Sequence, residues 1–388
     1  MDAPAPRGLL VAFASIPDPR VLRTQRHRLI DIMVLSVLAV ICGAQGPTEI
    51  QDFGRAKYQW LKTFLPLPNG IPSHDTIGRV LAALDPDAFE SCLIDLTDAL
   101  ARTSGTKALH IDGKTLRRSF DRAAEKTAVH MVNVWASQAQ LVLAQQATDA
   151  KSNEITAIPG VLDLLCLPEA VVTIDAMGCQ RAIAQRIIDG QGDYLLAVKD
   201  NQPALYASVK ELFDEAIAHD FEGMGYDRFE ATEKGHGRIE TRRVWVTREA
   251  QVLPEAKAWP KLRGAVCVEG RREVLDPSGG PSRVSVERRY FITSVDHRDR
   301  GKDAQWFGGL VRSHWGIENQ LHWCLDVGFR EDESRVRQGC LAENFSRLNR
   351  LALNLLKQEK ASRRGIAGKR KNCGWDHEYL LKVIGLTN

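Results

Sequence analysis

The sequence predicts an α/β protein: a mixed β-sheet flanked by helices, with a helical N-terminal domain and a β-rich insertion. Three observations predict it. Residues 1–105 carry apolar positions at helical spacing. Residues 107–198 change to short β-branched runs interleaved with two helical stretches. Residues 203–300 open on a helix and continue as alternating apolar and polar segments, ahead of a long helix near 302–325.

Composition sets the bounds. A chain of 388 residues, 44% hydrophobic and 26% charged, is an ordinary globular sequence with room for two or three domains. Its net charge is only +3, but basic residues cluster: Arg20, Arg23, Arg26, His27 and Arg28 near the start, Lys114, Arg117 and Arg118, and Arg363, Arg364, Lys369, Arg370 and Lys371 near the end. Such clusters either neutralise phosphates or form solvated faces. The longest apolar run, 32–44, is too short to span a bilayer and reads as a buried helix, so no membrane partner is expected. Eight cysteines make no CxxC pair, which argues against a structural zinc knuckle. With no signal peptide, they are expected to be reduced thiols in a cytoplasmic protein.

Within the first 105 residues, helices are expected over 29–43 and 48–64. Ser73 caps a third helix, and Asp85-Pro86 starts a fourth that runs to about 102. Helices joined by a short break form either a helix-turn-helix, with His74, Asp75, Thr76 and Arg79 facing DNA, or an ordinary packing domain. Strands then fit 107–112, 128–136 and 140–147. A helix fits 152–165, a strand 170–175, a helix 179–189 and a strand 193–198. The order β-β-β-α-β-α-β is that of the ribonuclease H-like fold, with the first and fourth strands adjacent at the centre of the sheet. Strand-like segments over 242–295 form an insertion. A helix over 341–358 follows, and 361–374 reads as a flexible basic tail. The expected domains are 1–105, helical and DNA-binding; 106–202 with 301–358, a catalytic core; 203–300, the insertion; and 359–388, the tail.

Three carboxylates stand out. Asp112 and Asp175 close buried strand-like runs, and Glu318 lies on the long helix. Oxygen ligands of this kind hold hard divalent ions, and two Mg²⁺ about 3.5–4 Å apart drive in-line phosphoryl transfer. His314, Glu318, His322 and Asp326 step by four and share a helix face, which alternatively describes an imidazole–carboxylate metal site unrelated to DNA. Glu154 either answers a helix dipole or supports the metal ligands from behind. His236, Arg238, Glu240 and Arg242 alternate along a strand, as an exposed face or one against DNA. Trp135, Trp245, Trp306, Trp315 and Trp323 are core residues, or one of them stacks a flipped base.

The chain resembles the insertion-sequence transposases of the ISAs-type, H-repeat-associated group of the DDE superfamily, nearly end to end. Residues 14–20 (AlaSerIleProAspProArg) and 72–76 (ProSerHisAspThr) resemble its N-terminal associated domain. Residues 110–117, 151–155, 173–177, 198–202 and 314–323 resemble its core motifs. The resemblance implies a ribonuclease H-like core with a β-rich insertion. It implies Asp112, Asp175 and Glu318 as catalytic, metal-binding residues with two Mg²⁺ ions, Mn²⁺ substituting. DNA would be cut and joined at terminal inverted repeats. Synapsis of two ends implies a homodimer acting on double-stranded DNA in a bacterial cytoplasm. Lys114, Arg117, Lys199, His236, Arg238, Arg312, His314 and His322 become phosphate-contact candidates, with Glu154 and Asn319 supporting the ligands. The chain departs from the family's Tyr-x2-Arg-x3-Glu-x6-Lys pattern: the positions are Val311, His314, Glu318 and Leu325. His314, Arg312 or Arg330 would take the clamp's place. A derivative that binds DNA without cutting it is the remaining alternative.

Overall fold

The computed structural model describes residues 7–101, 108–120, 127–148, 154–235, 237–275, 282–296 and 301–385. Helices come first: α1 (Arg7–Phe13), α2 (Leu29–Cys42), α3 (Pro47–Ala56), α4 (Tyr58–Leu61), α5 (His74–Ala83) and α6 (Pro86–Ala101). Then follow β1 (Ala108–Thr115), β2 (His130–Ala136), β3 (Leu141–Thr148), α7 (Glu154–Asp163), β4 (Val171–Ile174), α8 (Arg181–Asp189) and β5 (Asp193–Val198). The extension comprises α9 (Pro203–Ala218), β6 (Tyr226–Gly235), β7 (Arg238–Thr247), β8 (Gly264–Val274) and β9 (Arg283–Thr293). The chain finishes with α10 (Ala304–Ile317), α11 (Leu341–Gln358), α12 (Ile366–Trp375) and α13 (His377–Val383).

Local chemistry sets most boundaries. Ser73 Oγ accepts from the Thr76 amide and opens α5. Asp85 Oδ1 accepts from the Asp87 and Ala88 amides, both at 2.9 Å, ahead of Pro86 at the first helical position. The helix expected over 48–64 is interrupted at Lys57, giving α3 and the short α4. The segment between α4 and α5, residues 62–73, far exceeds the three to four residues of a helix-turn-helix turn. That reading is therefore corrected. The α2 run is buried from Ile32 to Ile41, as its unbroken apolar sequence predicts. No single described helix is long and apolar enough to cross a membrane.

The strands form a nine-stranded mixed sheet in the order β3-β2-β1-β4-β5-β9-β8-β7-β6. The first five stand as the sequence order predicts. β1 and β4 are parallel neighbours, β4 and β5 are parallel, and β2 and β3 pair antiparallel. The insertion is not a separate sheet: β9 pairs antiparallel with β5, from Leu195↔Thr293 to Val198↔Tyr290, and carries the sheet onward. The last two strand-like segments of the sequence, 283–287 and 289–295, merge into the single strand β9. The strand β6 was not expected at all. It is an exposed edge rich in charge, where periodic apolar signal is weakest.

The chain groups into two compact units, residues 1–106, 113–157 and 317–388 in one, and 107–112 with 158–316 in the other. In the first, α2 and α11 share an apolar core that includes Leu38, Leu348 and Leu353. In the second, Val244, Val266 and Phe291 of the extension strands pack with Phe307 and Leu310 of α10. The segment expected as a flexible basic tail is largely helical. Lys369 is buried, with Nζ donating to the Leu356 and Glu359 carbonyls. Arg370 is also buried, donating to the Gly328 and Val40 carbonyls. Both side chains cap backbone acceptors, which removes them from the phosphate-binding cluster.

Candidate active site

Strand register builds the centre of the second unit. Ile111 stands opposite Ile174 in the parallel ladder, and the next residue of each strand is an aspartate. Asp112 and Asp175 therefore leave neighbouring strands at one level, each half-buried. Asp175 Oδ1 accepts from the Met177 amide at 3.1 Å and the Gly178 amide at 3.3 Å, which turns the carboxylate over the start of the loop. A side chain at Gly178 would collide with Ile174, so this tight turn requires glycine.

Side chains alternate along a strand, so His110 and Thr173 share faces with the two aspartates, one step behind. They are register partners. His110 Nδ1 lies 2.6 Å from Thr173 Oγ1, and Thr173 Oγ1 lies 2.8 Å from Nδ1 of His314 on α10. The two rings meet edge to face with centroids 5.8 Å apart. Burial, and then the neighbouring His314, push the His110 pKa down to about 3, so His110 is neutral at pH 7. The sequence signalled His314 and missed His110 and Thr173. The polar residue two places before each aspartate, inside otherwise apolar strands, was the available signal.

The first unit holds the residue after Asp112. A side chain at Gly113 would collide with His130 Nε2 and the Glu154 carboxylate, so glycine is required here as well. His130 and Glu154 are both buried, with Nε2 and Oε1 2.5 Å apart, and Thr115 Oγ1 lies 2.8 Å from His130 Nδ1. Glu154 thus does more than answer a helix dipole. His130 was not anticipated; it opens a strand buried at every position.

Glu318 begins a π-helical turn, Glu318–His322, of the kind that recurs at functional sites. Its carboxylate is more than half exposed, and Asn319 is exposed beside it. His322 Nδ1 lies 3.4 Å from Glu318 Oε2, and the His322 ring is buried. That burial against Glu318 corrects the expectation that His322 faces DNA. The histidine–carboxylate stripe is divided among partners: His314 meets Thr173, His322 meets Glu318, and Asp326 meets Lys114. Within it, Glu318 and His322 keep ligand atoms within 4.8 Å of one another, close enough to share a metal ion, while His314 and Asp326 meet other partners.

The basic candidates separate in the same way. Lys114 is buried, with its ammonium 2.7 Å from Asp326 and 3.1 Å from Asp332, so those carboxylates take the charge expected to meet phosphate. Arg117 is 78% exposed and touches Asp332 at 3.2 Å. Lys199 is exposed. Arg238 pairs with Glu240 at 2.7 Å, and Arg312 pairs with Glu233 at 2.7 Å. Such exposed pairs are weak, about 0–1 kcal/mol, and can exchange onto phosphate. Arg330 pairs with Glu333. His236 lies outside the described residues. Trp135 and Trp245 are buried core residues. Trp315 is half exposed at a 590 Å³ cavity lined also by Val244, Val268 and Gly308, and the Arg289 guanidinium lies 4.4 Å above its ring.

Two family models match the sequence. Residues 10–97 match the domain described as DDE_Tnp_1-associated, and residues 93–355 match the transposase DDE domain. The putative transposase YncI of Escherichia coli O157:H7 is 40% identical over 97% of this chain and 94% of its own length. The H repeat-associated putative transposase YhhI of Escherichia coli K12 is 35% identical over 97% of each chain. Among solved structures, the piggyBac transposase synaptic complex with hairpin DNA aligns with 99% of this chain and 81% of its own, at 9% identity and a TM-score of 0.39. That likeness is too slight to bear on fold or partner. On the family models and the two relatives, the chain belongs to the H-repeat-associated group of transposases with a DDE domain.

Proposed function

We propose that the protein is a metal-dependent DNA-cleaving and strand-transferring enzyme acting at the terminal inverted repeats of its own insertion sequence. One observation carries the reading: two aspartates leave adjacent parallel strands at the same register level. Their donor set fits the ions the family uses, because half-buried carboxylate oxygens suit hard Mg²⁺ or Mn²⁺. Asp112 and Asp175 hold the ions. Glu318 joins them by its match to the family motif, with His322 orienting its carboxylate. When bound, two such ions lower the pKa of a water or a DNA 3′-hydroxyl and stabilise the departing 3′-oxygen. The protein's own groups do the rest. The Met177 and Gly178 amides fix Asp175. Arg117, Lys199, Arg238 and Arg312 neutralise DNA phosphates, and synapsis of two ends makes a homodimer the active form. The setting is the bacterial cytoplasm.

The test is incubation with duplex DNA carrying the flanking element ends, with Mg²⁺ or with EDTA. Nicking at the end junctions that EDTA abolishes supports the reading. Tight end binding with no cleavage in Mg²⁺ or Mn²⁺ leaves a DNA-binding derivative instead.

A further inference from the structure

Three side chains behind the two aspartates are linked within one unit. His110 on β1 and Thr173 on β4 are register partners, and His314 on α10 completes the chain through the same hydroxyl. Thr173 is 2% exposed and His110 is fully buried. One hydroxyl serves two imidazole nitrogens at 2.6 and 2.8 Å. A hydroxyl has one proton to give and two lone pairs to receive. When it donates to one Nδ1 it accepts from the other, so the two ring tautomers are set together. The set joins both aspartate-bearing strands to the helix that continues into Glu318.

We propose that His110, Thr173 and His314 are positioning residues that hold the ends of β1 and β4 and the helix α10 in the geometry required for divalent-metal binding. The inference rests on the reading of Asp112 and Asp175 as metal ligands. It differs from a direct role of His314 on DNA phosphate, because it operates before any DNA is bound. Groups that orient metal ligands from behind typically change metal affinity by about 10–100-fold when removed.

Thr173→Val tests this. Valine keeps the β-branched shape inside a strand and removes the shared hydroxyl. Thr173→Ser restores the hydroxyl without the methyl. His314→Ala breaks the same contact from the helix, leaving the sheet untouched, and carries the test if the valine variant does not fold. Mn²⁺ affinity of the full-length protein without DNA is measured by electron paramagnetic resonance, with Asp112→Asn as the control. Imidazole ¹⁵N shifts report the tautomers of His110 and His314.

The proposal expects Mn²⁺ binding weakened about tenfold or more in Thr173→Val and in His314→Ala. It expects near wild-type binding in Thr173→Ser, with the imidazole signals changed in Thr173→Val and retained in Thr173→Ser. Wild-type Mn²⁺ affinity in folded Thr173→Val or His314→Ala, with Asp112→Asn deficient, overturns the proposal and leaves the metal site standing. Wild-type affinity in Asp112→Asn overturns the metal site and the proposal with it.

Discussion

Two regions bury polar side chains in this protein, and they do so differently. On α11, Arg347 and Arg350 are each 1% exposed. Arg347 Nε donates to Glu90 Oε2 at 2.9 Å, with Glu343 2.8 Å from its Nη1. Arg350 donates to Glu331 at 2.8 Å and to Asn133 at 2.6 Å. Here carboxylates are matched by arginines, and the network joins α6, β2 and α11. At the strand ends, Asp175 is turned by backbone amides, and the residues behind it are a neutral histidine and a hydroxyl. A carboxylate closed by an arginine is committed to the scaffold. Asp175 is oriented instead by the Met177 and Gly178 amides. The environment of a carboxylate therefore separates the two roles better than its burial does.

The largest effects should fall on the strand ends. Asp112→Asn, Asp175→Asn and Glu318→Gln each keep shape and remove a ligand charge. Each should lower end cleavage by on the order of a thousandfold, with thermal melting close to wild type. Cleavage near the wild-type rate in a folded variant removes that residue from the site. On α11 the order reverses. Arg350→Met leaves Glu331 buried without its arginine and should cost about 3–5 kcal/mol in urea unfolding. A cost below about 1 kcal/mol would break the comparison, because the pair would then not be scaffold.

The third effect is a pH slope. Burial raises Glu90 from the ordinary 4.5 to about 7, against the pull of Arg347. Its folded pKa lies above its unfolded one, so the folded state holds the proton more tightly. The stability it contributes is complete below about pH 4.5 and is lost as pH rises through about 7. Glu90→Gln has no such slope. Between pH 5 and 8 the wild type should lose roughly 1–3 kcal/mol relative to the variant. Parallel stability curves would show that Glu90 stays ionised throughout. The smallest effect belongs to Arg117. Its exposed pair with Asp332 should contribute less than about 1 kcal/mol to stability. Arg117→Ala should nevertheless lower the slope of log K for DNA against log salt by about 1. An unchanged slope would exclude Arg117 from the phosphate contacts.

Much of this was legible in the sequence because it depends on local periodicity. The strand order through β5, the caps at Ser73 and Asp85, and the level placement of Asp112 and Asp175 follow from apolar runs and their order. What was missed depends on three-dimensional partners. Charged residues are rarely buried, so Lys114, Lys369 and Arg370 read as exposed basic groups until their carboxylate and carbonyl partners came into view. The edge strand β6 carries too much charge to show a two-residue apolar period. His130 lies in no motif, and Thr173 opens the 173–177 segment without a role that the sequence assigns to it. Their significance comes from Glu154 and from the two histidines that reach them across the fold.

Whether Asp175 binds the catalytic metal is tested by a change of its ligand chemistry. A thiolate is a soft ligand that Mg²⁺ accepts poorly and Mn²⁺ tolerates better. End cleavage by Asp175→Cys should be measured in Mg²⁺ and in Mn²⁺ beside the wild type. If Asp175 holds the metal, Mg²⁺-supported cleavage is lost and the Mn²⁺-to-Mg²⁺ rate ratio rises by about tenfold or more. Wild-type cleavage by the variant in Mg²⁺ would contradict it.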